Sequence, residues 1–290
     1  EVIKDDALDF LKQASEKEAP FFMYLAFNAP HDPRQSPQSF LDRYPLDGIP
    51  LPKNWLPEYP YKDAIGNPKT LRDEALAPFP RTPYAIKTHI KEYYAIITHL
   101  DEQIGKILNA LEASGKAKNT YIFFTGDHGL SVGKHGLLGK QSMFDHSIRV
   151  PLIVNGPGIP KNKSIDHEIY LQDIMATSLE LGNVSLPQSI DFKSFLDLVR
   201  GKDKKPLYPD GIYGAYMDYQ RMIRKDGYKL MVYPKVRKIL LFDLKNDPFE
   251  MHDISKKTEY KDRVKSLFDN LILLQRKHGD SLDLSGILAP

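Results

Sequence analysis

Three features of the 290-residue sequence predict an α/β domain, a mostly parallel sheet sandwiched by helices, followed by a small antiparallel α+β subdomain. Short apolar runs, FFMYLAF and YIFF among them, end in polar loops rich in Gly or Pro. Segments with apolar residues at three- and four-residue spacing alternate with those runs, which is the pattern of strands joined by crossover helices. After about Lys205 the helices drop out and short strand-like runs follow one another across turns, the mark of an antiparallel unit. The division expected is 1–203 for the α/β part and 204–290 for the subdomain.

Val2, Ala7, Leu8 and Leu11 share a helical face, which predicts a helix over about 4–17. Phe21 to Phe27 reads as a buried strand, stopped by the prolines of NAPHDPRQSP. A domain that opens in this way is expected to be incomplete at its N-terminus. Residues 45–83 hold nine of the 22 prolines, together with Trp55 and several tyrosines, and show no period. They read as a long surface excursion of the kind that shapes binding sites, with Trp55 and Tyr59 as a possible sugar-stacking wall or simply loop packing. From Tyr84 to Ser114, Ile96, Leu100, Ile104, Ile107 and Leu111 return to helical spacing, and Gly115 ends the run. Strands follow at Thr120–Phe124 and Val150–Val154, with a helix near Leu171–Leu181. GIYGAYM, YKLMVY and ILLFDL supply the antiparallel strands, and a helix near Lys261–Lys277 closes the chain.

Composition narrows the chemistry. Forty basic against 38 acidic side chains leave a net charge of +2, which gives no electrostatic case for nucleic acid or an anionic membrane. The run RGKDKKP reads as a solvated linker. No apolar run approaches the length of a membrane span, and no signal peptide is visible at the start. The absence of cysteine removes disulfides, thiolate metal sites and a cysteine nucleophile together.

Two strand-end loops carry the polar residues. The stretch TGDHGLSVGKHGLLGK, Thr125 to Lys140, follows directly on YIFF, and NAPHDP, Asn28 to Pro33, follows FFMYLAF. Carboxyl ends of strands in α/β sheets are where ligands bind. Asp127 and His128, where the pleat breaks, can turn toward one ligand and serve as paired metal ligands; the alternative is a turn cap beside a surface histidine. Lys140 offers a fixed cation to an anion. His31, held between two prolines, offers a general acid or an oxyanion contact. His135 by itself reads as a surface residue.

Four blocks, FFMYLAFNAPHDP, YYAIITHLDEQIGKILNALEASG, NTYIFFTGDHGLSVGKHGLLGKQSMFDHSIRVPLIVNGPGI and LFDLKNDPFEMHDIS, resemble in order and separation the type I sulfatases of the alkaline-phosphatase superfamily. The resemblance covers nearly the whole chain and implies an alkaline-phosphatase-like fold and hydrolysis of sulfate esters. By it Asp127 and His128 match two ligands of a bound calcium, with manganese and zinc as alternatives. Lys140 matches the lysine that holds the sulfate, His31 the active-site histidine, and His135 a substrate-facing histidine. LFDLKNDPFE matches a signature of the C-terminal subdomain. The implied partner is a sulfated small molecule or glycan, and the implied location is periplasmic, secreted or lysosomal.

Two departures matter. The family makes a formylglycine nucleophile from a Cys/Ser-X-Pro/Ala-X-Arg motif close to an Asp-Asp metal pair. No such motif occurs here, and Asp5-Asp6 fall on a helix. Nucleophile and remaining ligands are therefore expected in an N-terminal segment upstream of Glu1. Two other readings stay open: a phosphodiesterase or phosphonate monoester hydrolase of the same superfamily, and a non-catalytic binding module.

Overall fold

The computed structural model describes residues 1–202 and 205–288. The expected boundary at 203/204, and Asp203 within the basic run, lie outside the described residues. By packing, the chain forms two compact units: Glu1–Pro52 with Arg81–Ile122 and Asn155–Pro157, and Lys53–Pro80 with Phe123–Val154 and Gly158–Pro290.

In the first unit, α1 (Val2–Ser15) and α3 (Pro83–Ala113) pack through Ala7 and Leu11 against Ile107 and Leu111. Helix α3 begins where Thr82 accepts a hydrogen bond from the Ala85 amide (3.2 Å) and Pro83 occupies the first turn, which has no use for the missing N–H. Short α2 (Gln38–Leu41) turns Phe40 inward, 4.9 Å from the His99 ring.

Phe21–Phe27 departs from expectation. Phe21, Met23, Leu25 and Phe27 pack on the α1/α3 core, while Phe22 and Tyr24 stand 77% and 82% exposed. The segment has the two-residue alternation of a strand, yet it is assigned none. A strand is defined by its ladder, and no described segment pairs with this backbone.

The second unit contains most of the pair β1 (Ile122–Thr125) and β2 (Leu152–Asn155), which form a two-stranded sheet. Between them lie the motif loop and α4 (Asp145–Ile148), and after them α5 (Asp173–Leu181) and α6 (Leu196–Val199). The subdomain is a four-stranded antiparallel meander, β3 (Ile212–Tyr216), β4 (Gln220–Lys225), β5 (Tyr228–Tyr233) and β6 (Lys238–Asp243), closed by α7 (Lys261–Lys277). Strands β4 and β5 turn at Asp226-Gly227, both at positive φ, the chemistry a tight two-residue hairpin requires.

Both faces of this sheet are covered, which is why YKLMVY and ILLF read as almost unbroken apolar runs. One face sets Ile223, Leu230, Val232 and Leu241 against Val264, Leu267, Leu271 and Leu274 of α7. The other sets Met222, Met231, Tyr233 and Phe242 against Tyr59, Leu137, Met143 and Phe144. The motif loop is thus built on the second face of the subdomain sheet.

Candidate active site

Strand β1 delivers Asp127 and His128 two and three residues past its end. The His128 amide donates to Asp127 Oδ1 (2.9 Å), and Oδ2 stands 3.4 Å from His128 Nε2. The Asp127 side chain is 87% exposed, so both groups face outward. The local hydrogen bond is compatible with a capping role as well as with two donors poised for one cation. One carboxylate and one imidazole suit a divalent metal but make half a shell, since calcium takes six to eight oxygen ligands. No set of three ligating side chains occurs among the described residues.

From Ser131 to Gly139 the chain doubles back on itself. Ser131 donates to Gly139 (2.8 Å), Val132 to Leu138 (3.4 Å) and Gly133 to Leu137 (2.8 Å). Gly136, at φ +75°, lies so close to the 58–59 peptide that a Cβ would fall 2.7 Å from the Glu58 carbonyl carbon and the Tyr59 nitrogen. That approach and that φ explain a glycine there.

The far limb is held by two carboxylates from the proline-rich excursion. Glu74, buried, accepts from the Leu138 amide (3.1 Å) and the Gly139 amide (2.8 Å). Asp73 lies 3.7 Å from Lys140 Nζ and accepts from Gln141 Nε2 (3.1 Å). Burial pushes the Asp73 carboxyl up, but the Gln141 hydrogen bond and the Lys140 and Arg72 cations outweigh it and hold it below the usual range. Lys140 is therefore a placed cation with its side chain about a quarter exposed.

His135 sits inside the protein rather than on its surface. Its ring stacks on Phe144 at 3.8 Å and 11°. Asn54 Nδ2 approaches Nδ1 (3.4 Å), and Nε2 lies 3.1 Å from the Glu250 carbonyl oxygen, to which it donates in the tautomer this pairing favours. Burial drives its pKa down to about 4. In this arrangement both ring nitrogens face protein groups.

Behind the loop lies a buried ionic cluster. Lys229, fully buried on β5, reaches Asp145 Oδ1, Glu250 Oε1 (2.6 Å) and the Met143 carbonyl (3.1 Å). Arg224 on β4 pairs with Asp145 (2.9 Å) and Glu168. Glu250 Oε2 also accepts from the Asp145 amide (2.7 Å). Burial raises both carboxyls. Lys229 and Arg224 bring Asp145 below the ordinary range, whereas for Glu250 the Lys229 ammonium offsets burial only in part.

The first unit holds His31, between cis Ala29-Pro30 and cis Asp32-Pro33. Its side chain is 42% exposed, with Nδ1 2.8 Å from the Asp32 carbonyl oxygen. Arg34, buried nearby in sequence, meets His89 Nδ1 at 2.7 Å.

Sequence reasoning missed Glu74, Asp73, Asn54 and Lys229. Glu250 was visible only as part of LFDLKNDPFE. Tyr59, weighed as a sugar-stacking residue, is buried and bonded to Tyr233 Oη (2.9 Å), so the alternative of loop packing holds for it.

Residues 1–184 match the sulfatase family profile, and residues 133–277 match the profile described as N-sulphoglucosamine sulphohydrolase, C-terminal. The chain belongs to the sulfatase family. A sulfatase of Formosa agariphila is 30% identical over 257 residues, covering 86% of this chain and 48% of that protein. An arylsulfatase of Clostridium perfringens is 30% identical over 283 residues, covering 93% and 56%. The sulfatase chain thus spans about half the length of these curated relatives. Among solved structures, one determined in complex with its substrate D-glucosamine-2-N,6-O-disulfate superposes with a TM-score of 0.82 at 24% identity, covering 98% of this chain and 71% of that one. That likeness establishes the alkaline-phosphatase-like fold.

Proposed function

We propose that this chain is the sulfate-holding portion of a sulfuric ester hydrolase acting on sulfated glycans or smaller sulfate esters. One observation carries the reading: β1 ends in an outward-facing Asp127–His128 pair, on the same loop that presents Lys140 as a cation anchored by buried Asp73. The glycan class is supported by the disulfated glucosamine bound in the similar solved structure. Residues 1–203 are assigned to the sulfatase α/β domain and 204–290 to its C-terminal subdomain.

Asp127 and His128 would supply two ligands to a divalent cation, calcium first, with manganese or zinc as alternatives. Such a cation, when bound, neutralises charge on the sulfate and lowers the cost of an anionic nucleophile. Lys140 holds a nonbridging sulfate oxygen by charge and hydrogen bond, and that interaction strengthens as charge moves onto the oxygens in the transition state. His31, half-exposed on a Pro-flanked loop of the first unit, is by family resemblance the candidate proton donor to a leaving oxygen. His135 shapes the loop from inside and so sets where a sugar meets it. The nucleophile, a formylglycine by family resemblance, belongs to a segment outside these 290 residues, as do the remaining metal ligands. An extracytoplasmic location fits the family; no helix of the described residues is long and apolar enough to cross a membrane.

The test compares hydrolysis of 4-nitrophenyl sulfate and bis(4-nitrophenyl) phosphate by the complete protein, with metal content measured in parallel. Sulfate preference, a fall of about a hundredfold or more in kcat/KM for Lys140→Ala, and reduced metal content for Asp127→Asn are expected. Phosphodiester preference would transfer the site to the phosphodiesterase and phosphonate hydrolase reading. Binding of sulfated sugars without turnover of either ester would favour the non-catalytic module.

A further inference from the structure

The tip of the motif loop carries a second cation that the reaction above does not use. Trp55 and Lys134 form an isolated antiparallel bridge between the proline-rich excursion and the loop. The His135 amide donates to the Asn54 carbonyl (2.7 Å) beside that bridge, which makes Trp55 and Lys134 a pair lying between ladder hydrogen bonds. In such pairs the Cα atoms approach to about 4.5 Å and the two side chains emerge on one side. The neighbours point the other way: Asn54 donates to the Phe249 carbonyl (3.0 Å), and His135 lies on Phe144. Asn54 and His135 thus turn inward, and Trp55 and Lys134, each half-buried, share the opposite side, where the indole Nε1 is buried without a hydrogen-bond partner among the described residues.

Lys134 is half-buried and makes no ion pair among the described residues. It differs in this from Lys140, which has Asp73, and from Lys229, which has Asp145 and Glu250. Loss of water without a compensating anion holds its ammonium below the ordinary lysine pKa. A partly desolvated ammonium of this kind gains most from an acceptor that arrives with a ligand. Beside it stands a half-buried indole, the chain's single tryptophan, whose flat face suits the apolar side of a sugar ring.

We propose that Lys134 and Trp55 form a subsite for an acidic sugar residue adjoining the one that carries the scissile sulfate, with Lys134 binding its carboxylate or sulfate and Trp55 stacking on its ring. This deepens the reading of the chain as a glycan sulfatase and rests on it. Lys140 and Lys134 stand at the base and the tip of one doubled-back loop, so a single short element sets the spacing between the two anions it recognises. Selection among sulfated glycans then lies in the second anion, because any sulfate ester satisfies the first.

The experiment uses the complete protein and four probes, the first three being 4-nitrophenyl sulfate, a uronic acid–glucosamine-6-sulfate disaccharide, and the same disaccharide with its uronic carboxyl reduced to an alcohol. A fourth probe carries an added sulfate on the reduced sugar. Wild type should prefer the disaccharide with a second anion over the reduced one. In Lys134→Ala the ratio of kcat/KM on that disaccharide to kcat/KM on 4-nitrophenyl sulfate should fall about tenfold, the loss of one charge-assisted hydrogen bond. Most of the fall should be in KM, and Lys134→Arg should keep most of the ratio. Trp55→Ala should lower the ratio for charged and reduced disaccharides alike, and Trp55→Phe should restore part of it. The carboxylate and sulfate probes tell which anion is read. An unchanged ratio in Lys134→Ala with both, or an equal loss on all probes, overturns the subsite while leaving the hydrolase reading intact. Dissociation constants from calorimetry separate the two: Lys134-dependent binding without turnover keeps the subsite and removes the hydrolase.

Discussion

Replacing Lys229 by Met tests whether the buried ionic cluster holds the motif loop on the subdomain sheet. The substitution keeps the aliphatic stem and deletes an ammonium that touches Asp145, Glu250 and the Met143 carbonyl. Asp145 keeps Arg224 at 2.9 Å, so the charge left without its cation is that of Glu250, itself 3% exposed. Breaking a buried pair on one side costs about 3–5 kcal/mol. In a unit of this size each kcal/mol lowers Tm by about 2–4 °C, so a fall on the order of 10 °C is expected at pH 7. Burial already raises the Glu250 pKa, and loss of Lys229 raises it further. A carboxyl raised in the folded state adds stability below its unfolded pKa and loses it as pH rises through the folded one. The deficit against wild type should therefore be smaller at pH 5 than at pH 7, since acidification favours the protonated Glu250, and Lys229→Met/Glu250→Gln should recover much of it at pH 7. Thermal unfolding of the three proteins at both pH values decides the matter. A Tm within about 2 °C of wild type, or the same deficit at both pH values, would show that the cluster does not carry the loop.

Other perturbations read neighbouring parts of the loop. Burial lowers the His135 pKa from 6.5 to about 4, so the unfolded chain binds a proton that the folded one refuses; stability falls as pH drops through this window, by about 3 kcal/mol in all. His135→Gln should flatten that part of the stability profile in urea titrations at pH 7, 5.5 and 4, and an unchanged slope would assign the acid sensitivity elsewhere. Glu74→Ala leaves the Leu138 and Gly139 amides without their carboxylate and should cost about 2–3 kcal/mol; faster amide exchange at these two residues is the local readout. Gly136→Ala sets a Cβ against the 58–59 peptide at a φ of +75° and should cost more than about 1 kcal/mol in chemical denaturation.

Much of the fold was legible wherever a local period was long enough to outweigh noise. The three- and four-residue spacing from Tyr84 to Ser114 lands within a residue of α3, Pro83–Ala113, and the closing helix coincides with α7. Three of the four subdomain strands were legible as the apolar runs GIYGAYM, YKLMVY and ILLFDL; β4, QRMIRK, was not, because its alternation is masked by Gln220, Arg221, Arg224 and Lys225, and only the structure shows it pairing with β5 across Asp226-Gly227. Phe21–Phe27 shows where that reasoning stops. Alternation predicts which side chains turn inward, and they do, but pairing belongs to two segments and one segment cannot announce it.

The site divides along the same line. Asp127, His128 and Lys140 could be nominated because they stand among glycines at the end of an apolar run, where side chains have room to face a ligand. The residues that hold them could not. Glu74 sits in a stretch with no period, 64 residues before the amide it caps, and its neighbours in the chain are indifferent to that bond. Lys229 is a harder case. In YKLMVY its charge marks a solvent face by ordinary two-residue alternation, yet both faces of β5 are covered and the ammonium is fully buried. A lysine survives there only because Asp145 and Glu250 come to it from segments 84 residues before and 21 residues after, each bringing a carboxylate. Reading such a residue from sequence requires asking which distant acids could neutralise it. In this chain the answer is one acid five residues after Lys140 and one within LFDLKNDPFE, so the ion pairs tie the subdomain signature to the segment that follows the motif loop.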